Sequence, residues 1–281
     1  RVISVTIPGS ISSAPFIILD GSEIGGYSLD VEMAPDSVMA MAGLVSGKTD
    51  ILMTGFDQGL AHFQAGGKII HLSTIVWGVS SLLAMEDTLL DLKDFTGKRI
   101  LVPFAGSPLD IQLRFFMEQE KLSEEITVDY APIQQMVPLL LTGKTDGICV
   151  PEPLVSRLVL KNNAHRVFSF PQKLASLTGE SRSPQVSLFI TEQLAVKKKA
   201  FLSALIRRLK MELENLARPG AAGTVTSVCE ALSMDENIVV RGLDNTLFSL
   251  PDRETQIELI RWYIGLTGVT TPPGNDFYFD Y

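Results

Sequence analysis

The strongest constraint on this chain is a phrase that it uses twice. Ser46-Gly47-Lys48-Thr49-Asp50 runs into Ile51-Leu52-Met53-Thr54-Gly55-Phe56-Asp57, and Thr142-Gly143-Lys144-Thr145-Asp146 runs into Gly147-Ile148-Cys149-Val150-Pro151-Glu152-Pro153. Each copy follows an apolar run, Val38–Val45 in the first and Met136–Leu141 in the second. A periodic apolar run, a glycine just past it, a polar turn and a second short apolar run read as a helix, its left-handed cap and a buried strand. One α/β unit at equivalent places predicts two related halves. The phrase reads as a capped helix end entering a strand, and it fits a phosphate-binding loop poorly. That loop needs four residues between its first Gly and the Gly-Lys pair, with a strand before and a helix after. Gly43 lies one residue too close to Gly47, Pro138 stands where the second copy would need its first glycine, and the element order is reversed.

A chain of 281 residues suggests about two domains. Hydrophobic residues make up 46 % and charged residues 20 %, enough apolar material for two cores. The net charge of −8 argues against nucleic acid or an anionic membrane as partner, since both need basic patches. Lys197-Lys198-Lys199 with Arg207, Arg208 and Lys210 reads as the solvated face of a helix. Cys149, in an apolar strand, reads as a small hydrophobe, and a disulfide with Cys229 stays open. His62, His71 and His165 show no ligand spacing. Neither a Cys-His pair nor a G-x-S-x-G elbow occurs, so no metal site, no cofactor and no catalytic residue is expected. No run is long enough to span a membrane. The sequence opens at Arg1 directly into a strand, without an export signal, and numbering from Arg leaves a removed signal open.

Read in order, Val2–Ile7 is a strand, and the loop Ser10–Pro15 follows at its carboxyl end, where open α/β sheets bind ligands. Ser12 and Ser13 offer hydroxyls there or cap the helix that begins at Phe16. Tyr27–Met33 alternates as a second strand, and Ala34–Ser37, with Asp36, caps the next helix. The first copy of the phrase gives a third strand. Beyond it stand Thr54, Phe56 and Asp57, the last either a ligand acceptor or a cap for the helix Gln58–Gln64. Ile69–Val76 is a strand, and Trp77 after it is a stacking platform or a core residue. Arg99–Val102 leads to Gly106, Ser107 and Pro108, a helix start that would favour an anion or a carbonyl oxygen. Thr127–Tyr130 leads to Gln134 and Gln135. Glu152 follows the second copy's strand and faces a cleft or the next helix. Arg166–Phe170 is a strand, 171–184 a loop and Gln185–Ile190 an extended return. Helices are expected over Ala200–Ala217, Thr224–Leu232, Glu236–Thr246 and Arg253–Leu266, with the tail Thr267–Tyr281 along the surface.

Taken in order, the run is Ser13-Ala14-Pro15, Gly26-Tyr27 with Leu29-Asp30-Val31-Glu32, Gly47–Ile51, Thr54-Gly55-Phe56-Asp57, Leu92–Ile100, Val102-Pro103 with Gly106-Ser107, Gly143–Asp146 and Pro151-Glu152-Pro153. Over about residues 1–215 this succession resembles the substrate-binding proteins of the nitrate/sulfonate/taurine group of ABC importers, which includes binders of thiamine pyrimidine precursors. The resemblance implies a type II periplasmic-binding fold, a two-lobed α/β architecture. Each lobe is a mixed, mostly parallel sheet flanked by helices, and a ligand cleft between the lobes closes by a hinge. Residues 1–83 plus 188–281 would form lobe one and 84–187 lobe two, joined by crossovers at Ser80–Met85 and Val186–Ile190. The sequence departs from the pattern in two places. Asp20–Tyr27 lacks the usual lysine-rich stretch, and the cysteine-rich signature of the pyrimidine-synthase relatives is missing.

The expected function is the solute-binding component of an ABC importer, a monomer outside the cytoplasmic membrane, periplasmic or lipid-anchored. Its partners are a small molecule and a permease with its ATPase. Ser12, Ser13, Asp36, Thr54, Phe56, Asp57, Trp77, Gly106, Ser107, Gln134 and Glu152 are the candidate ligand contacts. Asp57 and Glu152 incline the reading to a neutral or cationic heteroaromatic, such as a thiamine pyrimidine precursor, over a sulfonate or nitrate. The alternatives are a binder of such a small anion, an enzyme of cofactor biosynthesis on the same fold with Asp57 or Glu152 as general base, and a sensor lobe of a larger receptor.

Overall fold

In the computed structural model, which describes residues 1–216, 222–268 and 271–280, the chain opens with β1 (Val2–Pro8), α1 (Ala14–Leu19), β2 (Glu23–Ile24), β3 (Tyr27–Ala34), α2 (Ser37–Val45), β4 (Ile51–Gly55), α3 (Phe56–Gln64) and β5 (Ile69–Val76). The middle holds β6 (Ser80–Ala84), β7 (Arg99–Val102), α4 (Pro108–Gln119), β8 (Thr127–Tyr130), α5 (Ile133–Leu141), β9 (Gly147–Pro151), α6 (Leu154–Asn162), β10 (His165–Ser169) and α7 (Phe170–Thr178). After β11 (Val186–Thr191) the chain is helical: α8 (Glu192–Lys197), α9 (Lys199–Leu216), α10 (Ala222–Leu232), α11 (Glu236–Asp244) and α12 (Arg253–Thr267). It divides into two compact units. One is built from Arg1–Trp77, Pro184–Gly265 and the described tail; the other is built from Gly78–Ser183 and residues 266–268.

The first unit holds a sheet in the order β2-β3-β1-β4-β11-β5 and the second a sheet in the order β10-β6-β9-β7-β8. In the first, β3, β1 and β4 run parallel and β11 returns antiparallel to β4 and β5. In the second, β8, β7 and β9 run parallel and β6 lies antiparallel to β9 and β10. The central strands β4 and β9 are almost wholly buried, as expected where helices cover both faces. Leu44, Leu52, Phe56, Trp77, Phe189, Ile260 and Phe277 belong to one core cluster of the first unit. Met136, Leu140, Ile148, Val150 and Val155 form one in the second. Each such side chain contributes about 1.5–3 kcal/mol of transfer free energy.

The repeated phrase builds the same corner twice. Gly47 (φ 76°) and Gly143 (φ 66°) are left-handed, a conformation that a Cβ disfavours. The amide of Lys48 donates to the Gly43 carbonyl at 2.9 Å and that of Lys144 to the Leu139 carbonyl at 2.9 Å, the paired closing bonds of a Schellman end. The aspartate then ties the turn to the neighbouring strand. Asp50 Oδ2 accepts the Ser4 amide at 3.0 Å, and Asp146 Oδ2 accepts the Arg99 amide at 2.7 Å. These joints lie at the amino ends of the parallel strands, away from the loops where such sheets bind ligands.

Two expectations are corrected, and one open question is answered. Residues 171–184 are not simply a loop, because Phe170–Thr178 is helical: Ser169 caps it, Pro171 sits in its first turn and Gly179 ends it at φ 83°. The tail is not a surface strap. Phe277, Tyr278 and Phe279 are buried, and the Phe279 amide donates to the His71 carbonyl at 2.9 Å. Cys149 and Cys229 are both free thiols. The expected helix end at Ala217 and the terminal Tyr281 lie outside the described residues.

Candidate functional site

In the first unit the carboxyl ends of β1, β3 and β4 open into the stretches 9–13, 35–36 and 56–57. Ser13 is buried and its hydroxyl donates to the Pro8 carbonyl at 2.5 Å, closing its own loop. Ser12 is also buried, and among the described residues its hydroxyl has no partner. Asp36 caps α2, its Oδ1 accepting the Met39 amide at 2.8 Å. Thr54 donates from Oγ1 to Gln58 Oε1 at 2.6 Å, and Gln58 Nε2 donates on to Ser37 Oγ at 3.2 Å. Asp57 sits in the first turn of α3. It keeps some contact with solvent, yet protein packs densely around its carboxyl, and that burial pushes its pKa up to about 6. No hydrogen bond or ion pair holds it among the described residues.

The two aromatic residues expected in this site point elsewhere. Phe56 lies in the core with its ring centroid 6.0 Å from His71 and 6.3 Å from Phe277. Trp77 is likewise buried, and its Nε1 donates to the Ser249 carbonyl at 2.9 Å. Neither presents a face to solvent.

In the second unit the corresponding ends of β7, β8 and β9 lead to α4, α5 and α6. Ser107 Oγ accepts the Asp110 amide at 3.2 Å, and Asp110 Oδ2 accepts the Gly106 amide at 2.8 Å. This reciprocal pair fills the α4 amino terminus with the protein's own carboxylate, so the start expected to be open to an anion is occupied. Arg114 pairs with Asp110 at 2.8 Å and donates to the Tyr130 hydroxyl at 2.5 Å. Gln134 is exposed at the start of α5. Glu152 is buried and caps α6, its Oε2 accepting the Ser156 amide and its Oε1 the Ser156 hydroxyl, each at 3.0 Å. Arg166 approaches it at 3.8 Å.

The exposed aromatic surface of these loops comes from residues the sequence reading passed over. Phe104 is 60 % and Tyr130 44 % exposed, one in the loop after β7 and the other at the end of β8. A Phe between Pro103 and Ala105 in a Gly- and Pro-bearing loop was the available signal, because such a loop has no core to bury it. Gln58 was missed because a Gln in a helix reads as solvated. Electrostatically the loops share one property. Stretches 8–15, 34–37, 55–58, 103–110, 131–135 and 151–155 contain no Lys or Arg. Helices α2, α3, α4 and α6 each carry a carboxylate at their start, from Asp36, Asp57, Asp110 and Glu152; α1 and α5 do not. Among the described residues no group of three or more His, Cys, Asp or Glu could hold a metal ion.

The NMT1-like family model matches residues 26–233, well over half of the chain. The chain belongs to the NMT1-like family. No curated protein matches it. Solved structures similar to this NMT1-like chain include the ligand-binding component of an ABC-type import system from Staphylococcus aureus, solved with zinc bound. That protein is 14 % identical, with a TM-score of 0.78 over 100 % of this chain and 96 % of the other. The periplasmic aliphatic sulphonate-binding protein SsuA of Escherichia coli is 13 % identical, with a TM-score of 0.77 over 99 % and 96 %. The periplasmic nitrate-binding protein NrtA of Synechocystis PCC 6803 is 13 % identical, with a TM-score of 0.69 over 98 % and 83 %. At these identities the likeness establishes the fold, the type II periplasmic-binding α/β architecture. No described helix of this NMT1-like chain is long and apolar enough to cross a membrane.

Proposed function

We propose that the protein is the solute-binding component of an ABC importer, acting outside the cytoplasmic membrane and delivering a small organic molecule to a permease with its ATPase. Residues 1–83 with 188–281, and 84–187, are its two lobes. The ligand is a neutral or cationic heteroaromatic of the pyrimidine-precursor type. One observation carries this reading. Four of the helix starts around the strand-end loops already hold a carboxylate, and the loops contain no cation. A sulfonate or nitrate would meet Asp36 and Asp57, which have no cation partner among the described residues, while Asp110 and Glu152 are paired with Arg114 and Arg166; it would also find an amide donor already taken at the starts of α2, α4 and α6. A ring bearing N–H donors meets acceptors in Asp57 and Ser12. Exposed Phe104 and Tyr130 supply stacking surface.

Thermal unfolding against a panel of pyrimidines, flavins, amines, sulfonates and nitrate tests this. A bound solute raises stability by about 2.7 kcal/mol at a hundredfold excess over its dissociation constant. The expected result is a shift with aminopyrimidine-like bases and none with anions. A shift with sulfonate or nitrate alone overturns the ligand class, and consumption of the compound replaces the importer reading with an enzyme.

A further inference from the structure

Helix α2 is unusual for this chain. Its nine residues, Ser-Val-Met-Ala-Met-Ala-Gly-Leu-Val, carry no charge, and only Ala40 and Leu44 are buried. Val38 is 78 %, Met39 63 % and Val45 58 % exposed. Val38, Met41, Ala42 and Val45, spaced i, i+3, i+4 and i+7, form one wall of an apolar groove of about 550 Å³. Gln58 and His62, one turn apart on α3, form the other wall. Two walls made by neighbouring helices suit a short helix laid between them. Nine residues of helix extend about 13 Å, room for roughly two and a half turns of a partner.

The two ends of this groove differ in charge. At the Val45 end, two adjoining depressions share that residue and are bordered by Lys68 and Lys197, with exposed Lys48 on the turn between. Among the described residues none of these three lysines has an acidic partner. Glu192 is the opposing charge beside them, and Asp50 is already held by the Ser4 amide. In a chain of net charge −8, this corner is locally positive and complements an acidic partner. The other end is wired to the candidate solute site. Thr54, at the end of β4, bonds to Gln58, and Gln58 bonds to Ser37; Gln58 and Ser37 both line the groove. A solute that takes the Thr54 hydroxyl frees Gln58 to move and changes the groove's surface. A partner seated there would sense whether the site is filled.

We propose that the α2–α3 groove is the docking surface for an apolar, acid-flanked helical segment of the permease subunit, and that the Thr54–Gln58–Ser37 chain reports solute occupancy to it. This rests on the importer reading above. The test places a photo-crosslinking phenylalanine at Val45, and separately at exposed Met211 on α9, in the full gene product within its own cells. Adducts are identified by mass spectrometry. The expected result is an adduct from Val45 with a multi-span ABC permease subunit, none from Met211, and at least a fivefold loss of that adduct in the Lys68→Glu/Lys197→Glu variant. An adduct of Val45 with lipid, or with a second copy of this chain, overturns the proposal and assigns the groove to that occupant. A permease adduct from Met211 but not from Val45 overturns the groove and leaves the importer reading standing. A permease adduct from neither position, together with no solute in the thermal panel, removes both.

Discussion

Replacing Asp57 by Asn makes the protein more stable and a poorer binder. The carboxyl sits where burial raises its pKa to about 6 from the ordinary 3.8. Between those values the folded protein holds a proton that the unfolded chain has released. Stability therefore falls as pH rises through that window and stays low above it. The difference between the two values corresponds to about 3 kcal/mol. The carboxyl's residual solvent contact reduces this to roughly 1–2 kcal/mol. Its place in the first turn of α3 favours the ionised form by only about 0.3–1 kcal/mol, so burial decides the sign. Urea unfolding at pH 7.5 should show Asp57→Asn about 1–2 kcal/mol more stable than the parent, and the gap should close near pH 4, where the folded protein already carries the proton. Affinity for a cationic base should fall by roughly 10- to 100-fold, the loss of one charge-assisted hydrogen bond of about 1.5–3 kcal/mol. A variant less stable than the parent at pH 7.5, or a gap of the same size at both pH values, refutes the reasoning. It would mean that the carboxylate is satisfied inside the fold and is not held there for a ligand.

Three further outcomes can be checked. His71 is fully buried against Phe277 and Tyr278 and its pKa is driven down to about 3 from 6.5. The unfolded chain therefore gains a proton first as pH falls, and stability should drop by about 2 kcal/mol between pH 7 and pH 5. Calorimetry in an Asp57→Asn background, where the opposing carboxyl is silent, should show this slope and show it abolished by His71→Gln. Asp50→Ala and Asp146→Ala should each cost about 1–3 kcal/mol in urea unfolding, because each strips the acceptor from one strand amide. Phe104→Ala and Tyr130→Ala should leave the melting temperature within a degree or two and weaken an aromatic solute about tenfold by isothermal titration, in keeping with exposed rings that stack on it.

Local periodicity carried most of the fold. The strands at Ile69–Val76, Arg99–Val102 and Thr127–Tyr130 match the expected bounds residue for residue, because alternation and turn residues mark them without help from distant parts of the chain. Helix α7 was hidden because Phe170-Pro171 reads as a breaker, although Ser169, Pro171 and Gly179 are also start and stop signals of a short helix. The tail misled for a different reason. Prolines and aromatics in an aperiodic stretch do not say which side of the sheet they reach, and Phe277 reaches the ring of His71, two hundred residues earlier. The candidate site suffers from the same blindness. Phe56 and Trp77 stand just past strand ends, as a stacking platform should, yet both lie in the core, Phe56 in the first turn of α3 and Trp77 directly after β5. Phe104 and Tyr130 face out instead; the loop around Phe104 carried a signal for this, and the exposure of Tyr130 shows only in the three-dimensional fold.

The repeated phrase explains why sequence likeness and site chemistry part company in this chain. Its shared residues, Gly-Lys-Thr-Asp, act at the amino end of a parallel strand. There the left-handed glycine closes a helix and the aspartate pairs with a neighbouring strand amide, in the first unit at Ser4 and in the second at Arg99. These demands come from backbone geometry, so both copies meet them with the same residues. One strand length further on the copies diverge, into Gly55-Phe56-Asp57 in the first and Pro151-Glu152-Pro153 in the second. Both put a carboxylate at a helix start, but in different states: Glu152 is held by Ser156 and Arg166, and Asp57 by nothing among the described residues. A scaffold that needed only two sound corners would have no use for the unheld one. Its burial costs roughly 1–2 kcal/mol, a cost that the proposed solute role would explain, so Asp57, on the divergent side of the repeat, is the residue on which the proposed ligand class turns.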